Sequence, residues 1–328
     1  MKNAAVFQHR HASHCESGVM AGLVTHAGLP MSEAMAFGLA STLAFAYLPV
    51  VKVGGLPLVA FRAMPHAITR GLSRKLHLEM AVETFRNPEQ GAARLDELVD
   101  QGELVGLQTS GFWLPYFPED LRFHFNVHNL IVLGREGDEY LISDPVFETP
   151  VRCPKADLTK ARFAKGLMAP KGRIYYPRAE VRPPQWDRLL PSAIRKTCRT
   201  MLAPVPFAGA KGIRSLARAV EKLKADDYAA RLLGHVVRMQ EEIGTGGGGF
   251  RFIYAAFLQE AASLLHNEAI ERKADEMVSL GDHWREVALE AALMIRGRHA
   301  LEPAKIAALL KQQADREETF FRGLRESL

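Results

Sequence analysis

"FHFNVHNLIVLGREGDEYLISDPV" (residues 123–146) decides how the rest of the chain is read. Its first half alternates and then turns continuously apolar, the pattern of a strand. "REGDE" reverses the chain and "YLISDPV" returns, so the stretch is an antiparallel hairpin. A turn centred on Glu136 sets His128 directly opposite Asp144. Side chains so opposed have Cβ atoms about 4.5–5.5 Å apart, within reach of a carboxylate–imidazole hydrogen bond that fixes the ring's tautomer. The inference depends on register, because a slip of one residue sends the two side chains to opposite faces. The plainer readings are a structural strand histidine and an Asp-Pro pair that begins a turn.

A histidine held by a carboxylate is half of a nucleophilic site, and the other half lies far upstream. "FQHRHASHCESGVMAGL" (residues 7–23) carries His9, His11, His14 and Cys15, and a helical pattern begins at once. Cys15 therefore stands at a helix N-terminus, where unpaired N–H groups favour a thiolate. His14 is adjacent in sequence and so is a poor base for Cys15; His128 is the better one. A metal site built from these histidines and Cys15 is the rival reading, but HxHxxHC matches no standard ligand spacing.

Composition sets the frame. The chain has 328 residues, 48% hydrophobic and 24% charged, which suits one large or two ordinary globular domains. The net charge of +5 forms no dense basic run, so nucleic acid is not an expected partner. Three cysteines without a CxxC pair speak for a reducing compartment, and no secretory signal opens the chain, so a cytoplasmic location is expected. "AMAFGLASTLAFAYLPVV" (34–51) is the most lipid-like stretch, but it is small-residue-rich and reads as a buried core helix rather than a stable membrane insertion.

Outward from the hairpin, residues 15–48 read as two helices, the first stopped by Gly28 and the second capped by Ser32. Residues 50–61 are β-rich. Residues 78–101 look helical, with Asn87 as cap, Pro88 in the first turn and Gly102 at the end. Strands are expected at 104–109 and 171–177. After the Pro pair near 183 the chain reads as helices alone, giving an α+β domain over 1–180 and an all-helical domain over 181–328.

An early helix-tip cysteine, then a strand histidine more than a hundred residues on, then "DP" closing the next strand, resembles the papain-like cysteine-peptidase fold. The finer resemblance is to the butirosin biosynthesis protein H family, through "HCESG" (14–18), "GLPMSE" (28–33) and the Gly-rich "EEIGTGGGGFRFIYAAFLQEAA" (241–262). The resemblance implies Cys15 as nucleophile, His128 as general base and acid, and Asp144 as the group that orients His128. It implies an acyltransferase of natural-product biosynthesis, which takes an acyl group from the phosphopantetheine thioester of an acyl carrier protein and gives it to a small-molecule amine. Water as acceptor would make the chain a peptidase, amidase or thioesterase instead. No further cofactor and no metal is implied, and homo-oligomerisation stays open. Papain-like enzymes place an oxyanion-hole Gln six residues before the cysteine. His9 holds that position and Gln8 precedes it, so either is a candidate donor, ahead of His11.

Two features of the C-terminal half remain. Gly246 and Gly247, with Arg251 after them, could form an anion pocket for a phosphate or carboxylate at a helix N-terminus; the alternative is a tightly packed interhelical loop. Arg285, Arg296, Arg298 and Lys305 are candidates for docking an acidic carrier protein, or form an ordinary charged helix face.

Overall fold

In the computed structural model, which describes residues 7–119, 122 and 125–328, the hairpin is present within a six-stranded antiparallel sheet. Its strands are β3 (Met80–Glu83), β4 (Val105–Thr109), β5 (His128–Glu136), β6 (Glu139–Ser143), β7 (Val151–Pro154) and β8 (Ile174–Pro177). Their order is β3-β8-β4-β5-β6-β7. The first two residues of the expected strand, 123 and 124, lie outside the described residues, and pairing with β4 begins at His128.

The turn is not centred on Glu136. Glu136 pairs with Glu139, which makes Gly137 and Asp138 the turn residues. Continued unbroken, that register would put His128 and Asp144 on opposite faces. A bulge between Val132 and Gly134 inserts one extra residue, and beyond it Val132 pairs with Ile142 and Ile131 with Ser143. The inserted residue restores the parity, so His128 and Asp144 share a face as diagonal rather than direct neighbours.

The chain forms two compact units: Met1–Ala36 with Ile68–Pro184, and Phe37–Ala67 with Gln185–Leu328. The first unit holds α1 (Cys15–His26), most of α3 (Ala67–Lys75), α4 (Pro88–Asp100), α5 (Lys155–Arg162) and the six-stranded sheet. α4 is capped by the Asn87 side chain and begins at Pro88, as its sequence predicts. Residues 80–83 of the expected helix are instead β3, paired with β8. Leu95 and Leu98 of α4 meet Leu107, Leu130, Val132, Ile142 and Ile174 of the sheet in one buried cluster.

The second unit contains a two-stranded sheet, β1 (Leu43–Val53) and β2 (Leu56–Arg62), with α6 (Trp186–Met201), α7 (Gly209–Glu221), α8 (Asp227–Glu241), α9 (Arg251–Leu265), α10 (Glu268–Ile295) and α11 (Pro303–Glu326). Here the structure corrects two expectations. The apolar run 34–51 is not one helix: α2 (Glu33–Leu39) ends early, Ser41 takes a φ of 60°, and β1 follows. Leu43, Phe45 and Tyr47 are buried while Ala44, Ala46 and Leu48 are half-exposed, which is strand periodicity. The division of the chain is also not a single cut after residue 180, because residues 37–67 group with the helical part. Phe45 and Phe61 of the hairpin pack on the fully buried Trp284 of α10, with ring centroids 6.0 and 5.1 Å away. Among the described residues no helix is long and apolar enough to cross a membrane.

Candidate active site

Cys15 is the first residue of α1, and the sequence around it builds the helix tip. His14 is the N-cap: its Nδ1 accepts from the Ser17 backbone N–H at 3.3 Å. Glu33 reaches back from α2 and accepts from the backbone N–H groups of Ser13 (2.9 Å) and His14 (2.6 Å) and from the Ser17 hydroxyl (3.1 Å). Glu16 turns away from the tip, and its Oε1 accepts the Ile68 and Thr69 N–H groups at 3.1 Å, capping α3. A Cβ on Gly18 would lie 2.7 Å from Ala12 Cβ and 2.9 Å from Pro145 Cβ, so only glycine lets α1 come this close to the residue after Asp144. Both motifs of the family resemblance, "HCESG" and "GLPMSE", thus find a physical role in fixing the cysteine helix.

The hairpin meets this tip where its ladder opens. β5 and β6 stop pairing after Ser143, so the start of β5 has no strand on that side. Before the bulge, His128, Leu130 and Val132 share the face of β5 that meets α4, and Ile131 faces α1 beside Gly22. Cys15 and His128 come together at the open end of the strand. His128 Nε2 lies 2.7 Å from Asp144 Oδ2, with both side chains buried, and Cys15 and His128 each favour the other's charged form. Asp144 Oδ2 also accepts from the Tyr116 hydroxyl at 2.9 Å, and Oδ1 from the Val146 N–H at 3.1 Å. The Phe117 ring stands edge-on to His128 at 5.2 Å, which limits its rotation.

The electrostatics suit a charged pair. Burial pushes the Cys15 thiol up, but the hydrogen bond and charge of His128 and the N–H groups of Asn129 outweigh it, leaving the thiol below its ordinary 9.0. Burial pushes His128 down, and Asp144 and Cys15 outweigh it, raising the imidazole to about 10. Tyr116 is pushed well above its usual range by burial and by Asp144, so its hydroxyl keeps its proton and donates. A thiolate beside an imidazolium held by a carboxylate is a preformed nucleophile with a proton donor at hand.

Tyr116, Asn129, Glu16 and Glu33 escaped the sequence reading. Only Glu16 and Glu33 had a signal, their places in the two motifs, and neither motif gave a hint of a bond to another helix.

Gln8 is exposed, and its Oε1 accepts from Arg10 at 3.0 Å. His9 has both ring nitrogens engaged, Nδ1 with Ser143 Oγ at 2.7 Å and Nε2 with the Phe147 carbonyl at 2.9 Å. The expectation that the His9 side chain is free to hold an oxyanion is corrected accordingly; His9 ties the N-terminal segment to the loop that carries Asp144. His9 and His14 thus serve separate partners, and no group of three or more potential metal ligands occurs among the described residues.

The expected anion pocket at Gly246, Gly247 and Arg251 is also corrected. Arg251 is fully buried and forms a two-pronged bond to Glu317, Nε to Oε1 and Nη2 to Oε2, each at 2.9 Å, while its Nη1 donates to the Gly249 carbonyl at 2.7 Å. Trp284 Nε1 donates to the same Oε1 at 2.6 Å. The loop's amides are taken as well: Gly247 N donates to Thr245 Oγ1 and Gly248 N to the Glu241 carboxylate. Gly244 and Gly246–Gly249 all have positive φ, and a Cβ on Gly249 would lie 2.3 Å from the Phe61 ring. The run is a packed interhelical loop. Of the basic residues on α10 and beyond, Arg285 stacks on Phe252 and Lys305 pairs with Glu290, while Arg296 and Arg298 are exposed.

The fold is α+β, with a cysteine-bearing helix tip set against an antiparallel sheet that carries histidine and aspartate. A family model for the butirosin biosynthesis protein H N-terminal domain matches residues 14–145. A second, described as a domain of unknown function (DUF4872), matches residues 156–324. Among curated proteins there is no significant match. Among solved structures, a crystal structure assigned to a C39-like peptidase from Bacillus anthracis covers 54% of this chain and 96% of its own, with 15% identity and a TM-score of 0.37. The chain thus joins a region matching the butirosin biosynthesis protein H N-terminal domain to a DUF4872 domain that spans more than half of it, and it belongs to the family of the latter.

Proposed function

We propose that this butirosin biosynthesis protein H-like chain is a cysteine-dependent acyltransferase that takes an acyl group from a carrier-protein thioester and passes it to an amine. The observation that carries the reading is the buried Cys15–His128–Asp144 set, with the thiol lowered and the imidazole raised. In the first half-reaction the Cys15 thiolate attacks the thioester carbonyl, and the carbon–sulfur bond to the phosphopantetheine arm breaks. The departing thiolate takes the proton from His128. In the second, the amine attacks the acyl-enzyme, His128 accepts its proton, and Cys15 leaves as thiolate. Asp144 holds the ring through both steps and offsets its positive charge. The acyl carrier protein and the small-molecule amine are the partners this reading needs, in natural-product biosynthesis and in the cytoplasm; it asks for no metal and no nucleic acid.

Intact-mass measurement after mixing the full chain with an acyl-carrier thioester tests it. One acyl mass added at Cys15, discharged faster by amines than by water, is the expected result. Acylation that persists in Cys15→Ala would overturn the nucleophile. An acyl-enzyme discharged only by water, or cleavage of peptides, would make the chain a hydrolase.

A further inference from the structure

Asn129 follows His128 on β5, and its side chain lies against the cysteine. Nδ2 donates to the Val127 carbonyl at 2.9 Å and lies 3.7 Å from Cys15 Sγ, within range of an N–H···S contact. The backbone N–H of Asn129 also helps to lower the Cys15 thiol. The amide's other end is fixed: Oδ1 accepts from the Tyr175 hydroxyl at 2.8 Å. An amide presents donors at one end and lone pairs at the other, so its orientation decides whether a thiolate meets attraction or repulsion. Tyr175 holds the lone-pair end away from the sulfur.

The support behind Tyr175 is built for it. The residue sits on β8, fully buried, and its ring passes over Gly106 of β4, where a Cβ would lie 2.6 Å from a ring carbon. Burial, with the negative charges of Glu16 and Cys15, keeps the hydroxyl well above its usual range, so it remains a donor.

We propose that Asn129 is a catalytic residue that holds the charged Cys15 sulfur in its attacking position, and that Tyr175 is the positioning residue that keeps the donor end of the Asn129 amide toward it. The proposal rests on Cys15 being the nucleophile. It assigns the sulfur two supports: His128, which supplies charge and moves the proton, and Asn129, which supplies fixed dipoles and moves nothing.

The test is the pH profile of Cys15 alkylation by iodoacetamide in the full chain, read by peptide mass. Burial raises the thiols of Cys153 and Cys198 to about 12, so neither competes near neutrality. His128 is the titratable group that acts on the sulfur, with Asp144 and Tyr116 behind it, and Tyr175 feels the charges of Cys15, Glu16 and Arg173. Asn129→Ala leaves all of these in place. The expected result is a midpoint moved to higher pH and, near pH 7, a rate lowered on the order of tenfold, the scale of a hydrogen bond to a charged group. Tyr175→Phe is expected to move the midpoint the same way by less, and to add nothing in the Asn129→Ala background. Wild-type midpoints in both single variants, with melting temperatures unchanged, would overturn the proposal, and strictly additive effects would remove Tyr175 from it. If Asn129→Ala does not fold, Tyr175→Phe, which removes one oxygen, decides alone. Because alkylation reads the sulfur itself, an unshifted profile leaves acyl transfer standing, and failed acyl transfer leaves a shifted profile standing.

Discussion

Two buried charged clusters, one in each unit, look alike on first inspection. Cys15–His128–Asp144 and Arg251–Glu317 both bury opposite charges, and both pairs are braced by an aromatic donor, Tyr116 in one case and Trp284 in the other. They differ in what is left over. Arg251 and Glu317 bond to each other twice, and their remaining bonds go to Gly249, Trp284 and Gln313. Around Cys15 the charges sit on a thiol and an imidazole, between which a proton can move, and the sulfur has long, weak contacts of 3.7 and 3.9 Å. A saturated cluster defines a fold, whereas an unsaturated one with a movable proton can do chemistry.

The sharpest way to break that contrast is Asp144→Asn. It preserves shape but cannot hold His128 as an imidazolium, so acyl-transfer kcat should fall by roughly 10²–10⁴-fold. The same variant tests the charge state through stability. The folded imidazole is raised from 6.5 to about 10, so its contribution to folding is complete below about 6.5 and is lost as pH rises through about 10. Urea midpoints of the wild type should decline across that window, and those of Asp144→Asn should decline less. Acylation itself should fall at low pH as the thiolate is protonated and again as His128 loses its proton near 10.

Next in size, Glu317→Ala strands a buried guanidinium and should cost about 3–5 kcal/mol in a urea titration, most of it recovered in Arg251→Met/Glu317→Leu. Were Arg251 a ligand anchor, the double variant would instead raise the KM for the carrier thioester at unchanged stability. Gly18→Ala, which forces a methyl against Ala12 and Pro145, should cost about 1–3 kcal/mol in the same assay and displace the cysteine. Gln8→Ala sits at the bottom of the scale. Its exposed side chain bonds only to Arg10 among the contacts described, and kcat/KM should change by no more than about twofold.

The His128–Asp144 pairing was legible for a reason the sequence only half supplied. His128 and Asp144 share a face because a bulge at Leu133 offsets a turn one and a half residues later than expected; two departures from an ideal hairpin cancelled. Capping chemistry was legible outright at Asn87, Pro88 and Ser32, since each acts within three or four residues. The run 34–51 was misread because alanine and glycine fill both faces and hide the Leu43–Phe45–Tyr47 alternation. Glu33, Asn129 and Tyr175 were illegible because their partners lie 16 to 114 residues away. The Gly-rich loop misled because a helix start beside an arginine looks alike whether the anion is a ligand or the chain's own Glu241 and Glu317.

The grouping of residues 37–67 with the helical unit sets a schedule for synthesis. The hairpin leaves the ribosome early, with Phe45 and Phe61 uncovered, and the Trp284 they pack against emerges more than two hundred residues later. At translation speeds of about 5–20 residues per second, the wait is roughly 10–45 s. During that interval α6, α7 and α8, which also pack on the ribbon, emerge before the tryptophan does, so the strongest client for chaperones that bind exposed strands should be a nascent chain stalled before α6.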